Sequence, residues 1–351
     1  MERLYINLGE KSYWINIGDD LLGSIFNNVG HADRWVIITD ENVDKLYGQK
    51  VMDAFKGKEV FKYVITPGES SKNIETVIDI ISFMLEKQMT RKSKLIALGG
   101  GVVGDISGFC ASIYMRGMEW VQVPTTLLAQ IDSSVGGKTG VNMPQAKNIV
   151  GTYSQPKSVV IDLNVLKTLS KKELISGIGE VIKYGVIYDN QFLKYIGENF
   201  NDILSLNEDV MKYIIKRCCE IKAYIVSKDE KEEGLRKILN YGHTIGHALE
   251  SITKYEKYTH GEAVIVGMYY EAKMALVMGL IDKNYFDEIV KVIEKTNVDL
   301  DISMFSKDIL VNIMSYDKKN LKDKISFILP YESGKVNEIL LSKEDITWDE
   351  V

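Results

Sequence analysis

Cysteine, histidine and proline are scarce in this chain of 351 residues, with 3, 4 and 5 of each. Two of the cysteines, Cys218 and Cys219, are adjacent, and nothing has the spacing of a paired thiol motif. A disulfide framework is excluded, and a reducing, cytoplasmic compartment is expected. So few prolines beside 45% apolar and 26% charged residues exclude collagen-like and disordered chains. No run approaches the roughly 20 apolar residues of a membrane span. Met1 leads into the alternating Leu4, Tyr5, Ile6, Asn7 and Leu8, so no secretory signal is expected. Positive charge is not in excess either: 43 basic against 49 acidic residues leave a net charge of -6, which argues against nucleic acid or an anionic membrane as partner.

What the sequence does contain is length and rhythm. At roughly 150 residues per domain, two domains are expected. Trp35 to Thr39, Phe61 to Thr66, Lys94 to Leu98, Trp120 to Val123 and Val159 to Asp162 read as strands with helix-length segments between most of them. Tyr5 to Leu8 and Tyr13 to Ile17 read as a hairpin. Such alternation specifies a mostly parallel α/β sheet, assigned to residues 1–163. From 164 to 351 helical spacing dominates, in Lys172 to Tyr184, Glu208 to Val226, Arg236 to Ser251, Gly261 to Met278 and Tyr285 to Lys295. A small hairpin, Ile325 to Leu329 with Val336 to Leu341, is the exception. No linker composition separates the halves, so close packing and a site in the cleft are expected.

Gly99, Gly101 and Gly104 satisfy G-x-G-x-x-G between the strand Leu95 to Leu98 and a helix. That context suits a pyrophosphate at a helix N-terminus, or simply a tight turn. Asp40, closing the strand Val36 to Thr39, is placed either to face a ribose diol or to cap a helix from Glu41. The run Pro124 to Asn142 gathers Gly, Ser and Thr around Lys138, with Lys147 and Asn148 soon after, and reads as a loop holding hydroxyls and phosphate. Three of the histidines, His243, His247 and His260, fall within eighteen residues. His243 and His247 have metal-ligand spacing on one helical face, but the intervening Thr244-Ile245-Gly246 lacks the glutamate of a metalloprotease. Arg116, Lys183, Lys222 and Arg236 are further cations suited to an anionic ligand.

Taken together, Gly99 to Asp105, Tyr114-Met115-Arg116-Gly117, Pro124 to Gly140, Gly179-Glu180-Val181-Ile182-Lys183, Asn240 to Ala248 and His260-Gly261-Glu262-Ala263-Val264 resemble the 3-dehydroquinate synthase family, in order and over nearly the whole chain. The resemblance implies a Rossmann-like NAD-binding N-terminal domain, a helical metal-binding C-terminal domain and a homodimer. It implies Glu180, His243 and His260 as ligands of Zn2+ or Co2+, leaving His247 as a substrate or proton-relay contact. The implied reaction turns 3-deoxy-D-arabino-heptulosonate 7-phosphate into 3-dehydroquinate and phosphate, in the shikimate route. NAD oxidises and later re-reduces the substrate without being consumed.

By the same resemblance, Asp40, Asn42, Glu69, Lys72, Gly101, Val102, Asp105, Thr125, Thr126, Asp132, Ser133, Lys147, Thr168 and Glu173 are nucleotide contacts, with Lys138 shared between nucleotide and substrate. Lys138, Asn148, Arg116 and either Lys318 or Lys319 are phosphate-side contacts, with Arg116 reaching across the dimer. Lys222, Arg236 and Asn240 are the remaining substrate contacts, and Lys183 belongs to the same catalytic set. Two positions depart from the family pattern: Gly179 stands where alanine is common, and Ser154 where an aromatic residue or histidine is common. Alternatives within the fold are another sugar-phosphate cyclase, or a metal-dependent polyol dehydrogenase that would release NADH.

Overall fold

The computed structural model describes residues 1–254, 256–316, 320 and 324–348. Two units emerge: Met1–Leu169 with Met211–Ser227, and Ser170–Val210 with Lys228–Val351.

In the first unit, β1 (Glu2–Ile6) and β2 (Tyr13–Gly18) form the N-terminal hairpin. Five parallel strands follow: β3 (Trp35–Asp40), β4 (Val60–Ile65), β5 (Lys94–Gly99), β6 (Glu119–Pro124) and β9 (Ser158–Asp162). The sheet order is β1-β2-β9-β6-β5-β3-β4. The helices are α1 (Phe26–Val29), α2 (Glu41–Val43), α3 (Gln49–Asp53), α4 (Ile74–Glu86) and α5 (Gly101–Ile113). Every residue of β5 and β9 is buried, as helices on both faces of a parallel sheet require. Alternation sorts the side chains. Trp35, Ile37, Ile96 and Leu98 join one core with Val51 and Phe55, while Val36, Ile38, Leu95 and Ala97 join the other with Ile80, Met84 and Ile106.

One expected loop is partly sheet. Lys138–Met143 forms β7 and pairs with β8 (Ala146–Tyr153), because Gly140 and Gly151 face each other where a side chain on either would strike the opposite backbone. Ser154 also has a local reason: its hydroxyl accepts the Trp120 indole N–H at 3.1 Å.

The second unit holds α6 (Lys171–Tyr188), α7 (Asn190–Glu198), α8 (Phe200–Leu204), α10 (His243–Ile252), α11 (His260–Val277), α12 (Lys283–Glu294), α13 (Lys307–Met314) and the hairpin of β10 (Ile325–Glu332) with β11 (Lys335–Leu341). Between α8 and α10 runs α9 (Glu208–Lys228), most of which clusters with the first unit. The helix expected over Arg236 to Ser251 is interrupted. Leu235–Asn240 is a tighter 3-10 turn, and Gly242 adopts a left-handed φ of 79° before α10 begins at His243. Among the described residues no helix is long and apolar enough to cross a membrane.

Helices α6, α10 and α11 approach almost to backbone contact. A Cβ on Gly261 would lie 1.9 Å from the Ser176 carbonyl oxygen, and one on Gly179 would lie 2.7 Å from that of Gly261. A Cβ on Gly267 would lie 1.9 Å from the carbonyl oxygen of Gly242. Glycine at 179 therefore has a packing reason. Gly267→Ala must push α11 off the Gly242 turn and is expected to cost on the order of 1–3 kcal/mol. Urea denaturation checks this; an unchanged midpoint would mean the helices have room to part.

Candidate active site

The strand order reverses between β3 and β5: the chain leaves β3 for β4 on one side and β5 for β6 on the other. Crevices outside the carboxyl ends of strands at such a point are where α/β sheets bind ligands. Thr39 pairs with Leu98, so the next residues, Asp40 and the Gly99 to Gly101 turn, end side by side. Asp40 Oδ1 accepts the amides of Asn42 and Val43 at 2.9 and 3.1 Å, which makes it the N-cap of α2. A Cβ on Gly104 would sit 2.3 Å from the buried Gln122 side-chain nitrogen, so a larger residue there has to displace that amide. Gly101 is different. Its Cβ would meet only Ser133, at ordinary contact distance, and Val102 beside it is half-buried on the first turn of α5. The free amides of that turn suit an anion.

Around this turn the first unit gathers most of the expected nucleotide residues. Lys72 Nζ lies 2.5 Å from Asp105 Oδ2 and 2.6 Å from Asn148 Oδ1. Burial pushes the Asp105 carboxyl up against the pull of Lys72. It opposes charge on Lys72 too, but Asp105 and Glu69 outweigh it and raise the ammonium. Lys222, buried on α9, lies 2.9 Å from Asp132 Oδ1 and donates to the Asp132 carbonyl at 2.5 Å, so this cation sits among nucleotide-side residues. The Thr125 amide donates to the Gly99 carbonyl at 3.0 Å, and Thr126 Oγ1 accepts the Ala129 amide at 3.1 Å. Lys138 is exposed at the start of β7, and Lys147 is half-buried on β8. Thr168 is exposed and shares a 2.6 Å bond with the Tyr47 hydroxyl. Arg116 is exposed, with a left-handed φ of 66°. Glu173 belongs to the second unit, where burial and the charge of Glu262 push its carboxyl up. Lys318 and Lys319 lie outside the described residues.

In the second unit the glycine-lined packing brings Glu180 of α6, His243 of α10 and His260 of α11 together, with ligand atoms all within 4.8 Å of one another. Glu180 Oε1 lies 3.6 Å from His243 Nε2 and 3.5 Å from His260 Nε2. The other ring nitrogens are held from behind. His243 Nδ1 is 3.0 Å from the Tyr241 carbonyl oxygen, and His260 Nδ1 is 3.4 Å from the Glu250 carboxylate. Both contacts favour a proton on Nδ1 and leave Nε2 as the ligand atom.

One buried carboxylate with two imidazoles is a borderline-soft donor set that fits a three-ligand Zn2+ or Co2+ centre. A cation already answers Glu180, because Lys183 on the next turn of α6 forms a buried ion pair with it. Burial opposes charge on His260, but Glu180 and Glu250 outweigh it and push the imidazole up to about 10. The pocket thus attracts positive charge.

His247 stands beside this cluster, its ring centroid 5.4 Å from that of His243 and 6.1 Å from that of His260. With Glu250 and His260 it forms a second group of metal-ligand type. Arg236 is buried and donates to the Glu230 carbonyl at 2.6 Å. Asn240 donates to Glu232 Oε1 at 2.7 Å.

The sequence reading missed Glu232, Glu250 and Glu271. Glu232 sits in an acidic run that reads as solvated surface. Glu250, three residues beyond His247 on the same helical face, carried a usable signal. Glu271 is fully buried and accepts the Gly242 amide at 2.6 Å, fixing the turn before His243 from a helix far along the chain.

This α/β unit and its helical companion have the architecture of the sugar-phosphate cyclases. A 2-deoxy-scyllo-inosose synthase, solved with carbaglucose-6-phosphate, NAD+ and Co2+, matches at a TM-score of 0.90 and 26% identity, over 98% of both chains. A 2-epi-5-epi-valiolone synthase from Streptomyces hygroscopicus subsp. jinggangensis 5008, solved with NAD+ and Zn2+, matches at 0.87 and 25% identity, over 97% of this chain and 96% of its own. Within that class the sequence is more specific. The family model for the 3-dehydroquinate synthase N-terminal region matches residues 62–176, and the one for the C-terminal region matches 177–320. The 3-dehydroquinate synthase of Alkaliphilus metalliredigens (strain QYMF) is 59% identical over 99% of this chain and 97% of its own. The chain belongs to the 3-dehydroquinate synthase family and is an enzyme of that type, a carbon-oxygen lyase acting on phosphate.

Removing His243 or His260 is expected to abolish tight divalent-metal binding. Glu250→Gln should weaken it by roughly 10- to 100-fold, as losing the carboxylate behind a ligating histidine does. Competition with a chromogenic chelator measures both, and wild-type affinity in Glu250→Gln would remove Glu250 from the metal's support.

Proposed function

We propose that this chain converts 3-deoxy-D-arabino-heptulosonate 7-phosphate to 3-dehydroquinate and phosphate, with Glu180, His243 and His260 holding Zn2+ or Co2+ and the β3–β5 switch point holding NAD+. The observation that carries this reading is the convergence of those three side chains in a chain of this family. When bound, the metal polarises substrate oxygens and the nicotinamide takes up and returns a hydride. The protein's part is to bind, orient and hold protons. Asp105, Lys72, Glu69, Thr125, Thr126 and Ser133 surround the turn that receives the dinucleotide, and Asp40 faces its ribose. Lys222 and Asp132 keep a charged donor and acceptor paired, the lysine buried and the carboxylate half-buried. Arg236 and Asn240, held in place by Glu230 and Glu232, bind the anionic and hydroxylated substrate. Lys138 and Asn148 supply positive charge and a donor for its phosphate, and Lys147 serves the nucleotide. His247, half-buried beside the metal ligands, is the group suited to hold or pass a proton at substrate oxygen. The burial of all three cysteines, Cys110, Cys218 and Cys219, accords with a cytoplasmic location.

A chelator is expected to abolish phosphate release from the heptulosonate phosphate in the presence of NAD+, and Zn2+ or Co2+ to restore it. Absorbance of reduced nicotinamide should not accumulate, because the hydride returns. Stoichiometric NADH would instead assign a dehydrogenase.

The enzyme acts as a homodimer in which Arg116 serves the partner's site. Supporting this, Arg116 and Met115 both take left-handed φ values, which turn this exposed corner outward. Exposed Ile113 and Met115 flank it, with exposed Ile149 and Tyr153 on β8, the strand whose Thr152 hydroxyl donates to Ser112. Apolar residues around a cation suit a subunit contact. Arg116→Ala should lose roughly ten- to a hundred-fold in turnover efficiency. Mixing it with inactive His243→Ala under subunit exchange should restore activity, since one site of each heterodimer is then intact. No recovery despite demonstrated exchange would place Arg116 in its own subunit's site.

A further inference from the structure

Asn142 has no part in the function above, yet its hydrogen bonds join residues that do. Its Nδ2 donates to Glu69 Oε1 at 2.8 Å and its Oδ1 accepts the Asn148 amide at 2.8 Å. Its own amide donates to the Lys72 carbonyl at 2.8 Å. Lys72 closes the circuit through Asn148 Oδ1 and Asp105 Oδ2. All of these residues belong to the first unit.

Three features make such a fastening necessary. Glu69 is exposed on a 3-10 turn entered through Gly68 at φ 103°, so nothing about its backbone restrains the carboxylate. Asn148 is exposed on β8 with a left-handed φ of 52°, a conformation that costs a non-glycine residue free energy unless its surroundings fix it. The hairpin's register also shifts between Val141 and Met143, so the ladder is irregular at Asn142 itself. One planar amide solves these together. It donates to a carboxylate and accepts from a main-chain amide at the same time through two separate atoms, which aspartate, an acceptor only, cannot do. Aspartate would set a second carboxylate against Glu69.

We propose that Asn142 is a positioning residue for the nucleotide: it aims Glu69 and, by holding Asn148 left-handed, keeps Lys72 between Asn148 and Asp105. The inference rests on the assignment of Glu69, Lys72 and Asp105 to NAD+. The test is calorimetric titration of the full-length, metal-loaded protein with NAD+. Asn142→Ala is expected to bind about tenfold more weakly. Asn142→Asp, which keeps the shape and reverses the polarity, should bind more weakly still. Combining Asn142→Asp with Glu69→Gln puts the donor on the opposite partner, so the double variant should bind clearly tighter than the two single losses added together, Glu69→Gln having its own loss as a nucleotide contact. A purely structural role for Asn142 predicts no such rescue. Wild-type affinity in Asn142→Ala, or losses of Asn142→Asp and Glu69→Gln that simply add in the double variant, would overturn the proposal. Lys72→Ala at wild-type affinity would instead overturn the nucleotide assignment beneath it.

Discussion

The close approach of three helices through glycine is the constraint on which the metal-type cluster depends. Two helices separated by ordinary side chains lie 8–10 Å apart, and a closer approach shortens the reach that ligands on three of them need to share one point. Here Gly179 and Gly261 let α6 and α11 touch, and Gly242 and Gly267 do the same for α10 and α11. Glu180, His243 and His260 each lie within a residue of one of these contacts. The substitution that packing tolerates least is thus adjacent to the residue that chemistry needs most. Glu271 reinforces the arrangement by tying α11 to the Gly242 amide, which sets where α10 starts and so where His243 points.

The first unit solves a different problem by different means. Its ligand groups come from segments far apart in sequence, and the sheet supplies the common frame. Reversal of strand order puts Asp40 and the Gly99 to Gly101 turn next to each other, and the β7–β8 hairpin then carries Lys138, Lys147 and Asn148. Rigid strands deliver the backbone to the crevice. Exposed turns carry the side chains, and these need hydrogen bonds such as those of Asn142 to stay in place.

The parallel sheet and the helical second half were legible because periodicity is a local signal: β3, β5 and β9 are short apolar runs, and α6 and α11 keep helical spacing over many residues. What was not legible was non-local. The β7–β8 hairpin was hidden because its strands are built from Gly, Thr, Asn and Lys, residues that read as loop; Gly140 and Gly151 are explained only by each other. The break before α10 was hidden because Tyr241 and Gly242 continue an apolar pattern that the left-handed turn cuts. Asp40 was legible with both of its readings, and its capping bonds do not prevent its other oxygen from facing a ribose. Lys222 lies on a helix that looks uniform in sequence, although most of that helix belongs with the first unit. The metal-type ligand set came from resemblance, since spacing alone pairs His243 with His247.

Charge gives the last step. A carboxylate as buried as Glu180 is tolerable only when compensated. Without a metal, Lys183 and a protonated His260 offset Glu180 and Glu250, and the local sum is near neutral. Glu180, His243 and His260 would hold a divalent ion, which would bring two positive charges where the His260 proton supplies one. The contacts of Glu180 with Lys183 and His260, and of Glu250 with His260, are what compensates these buried carboxylates.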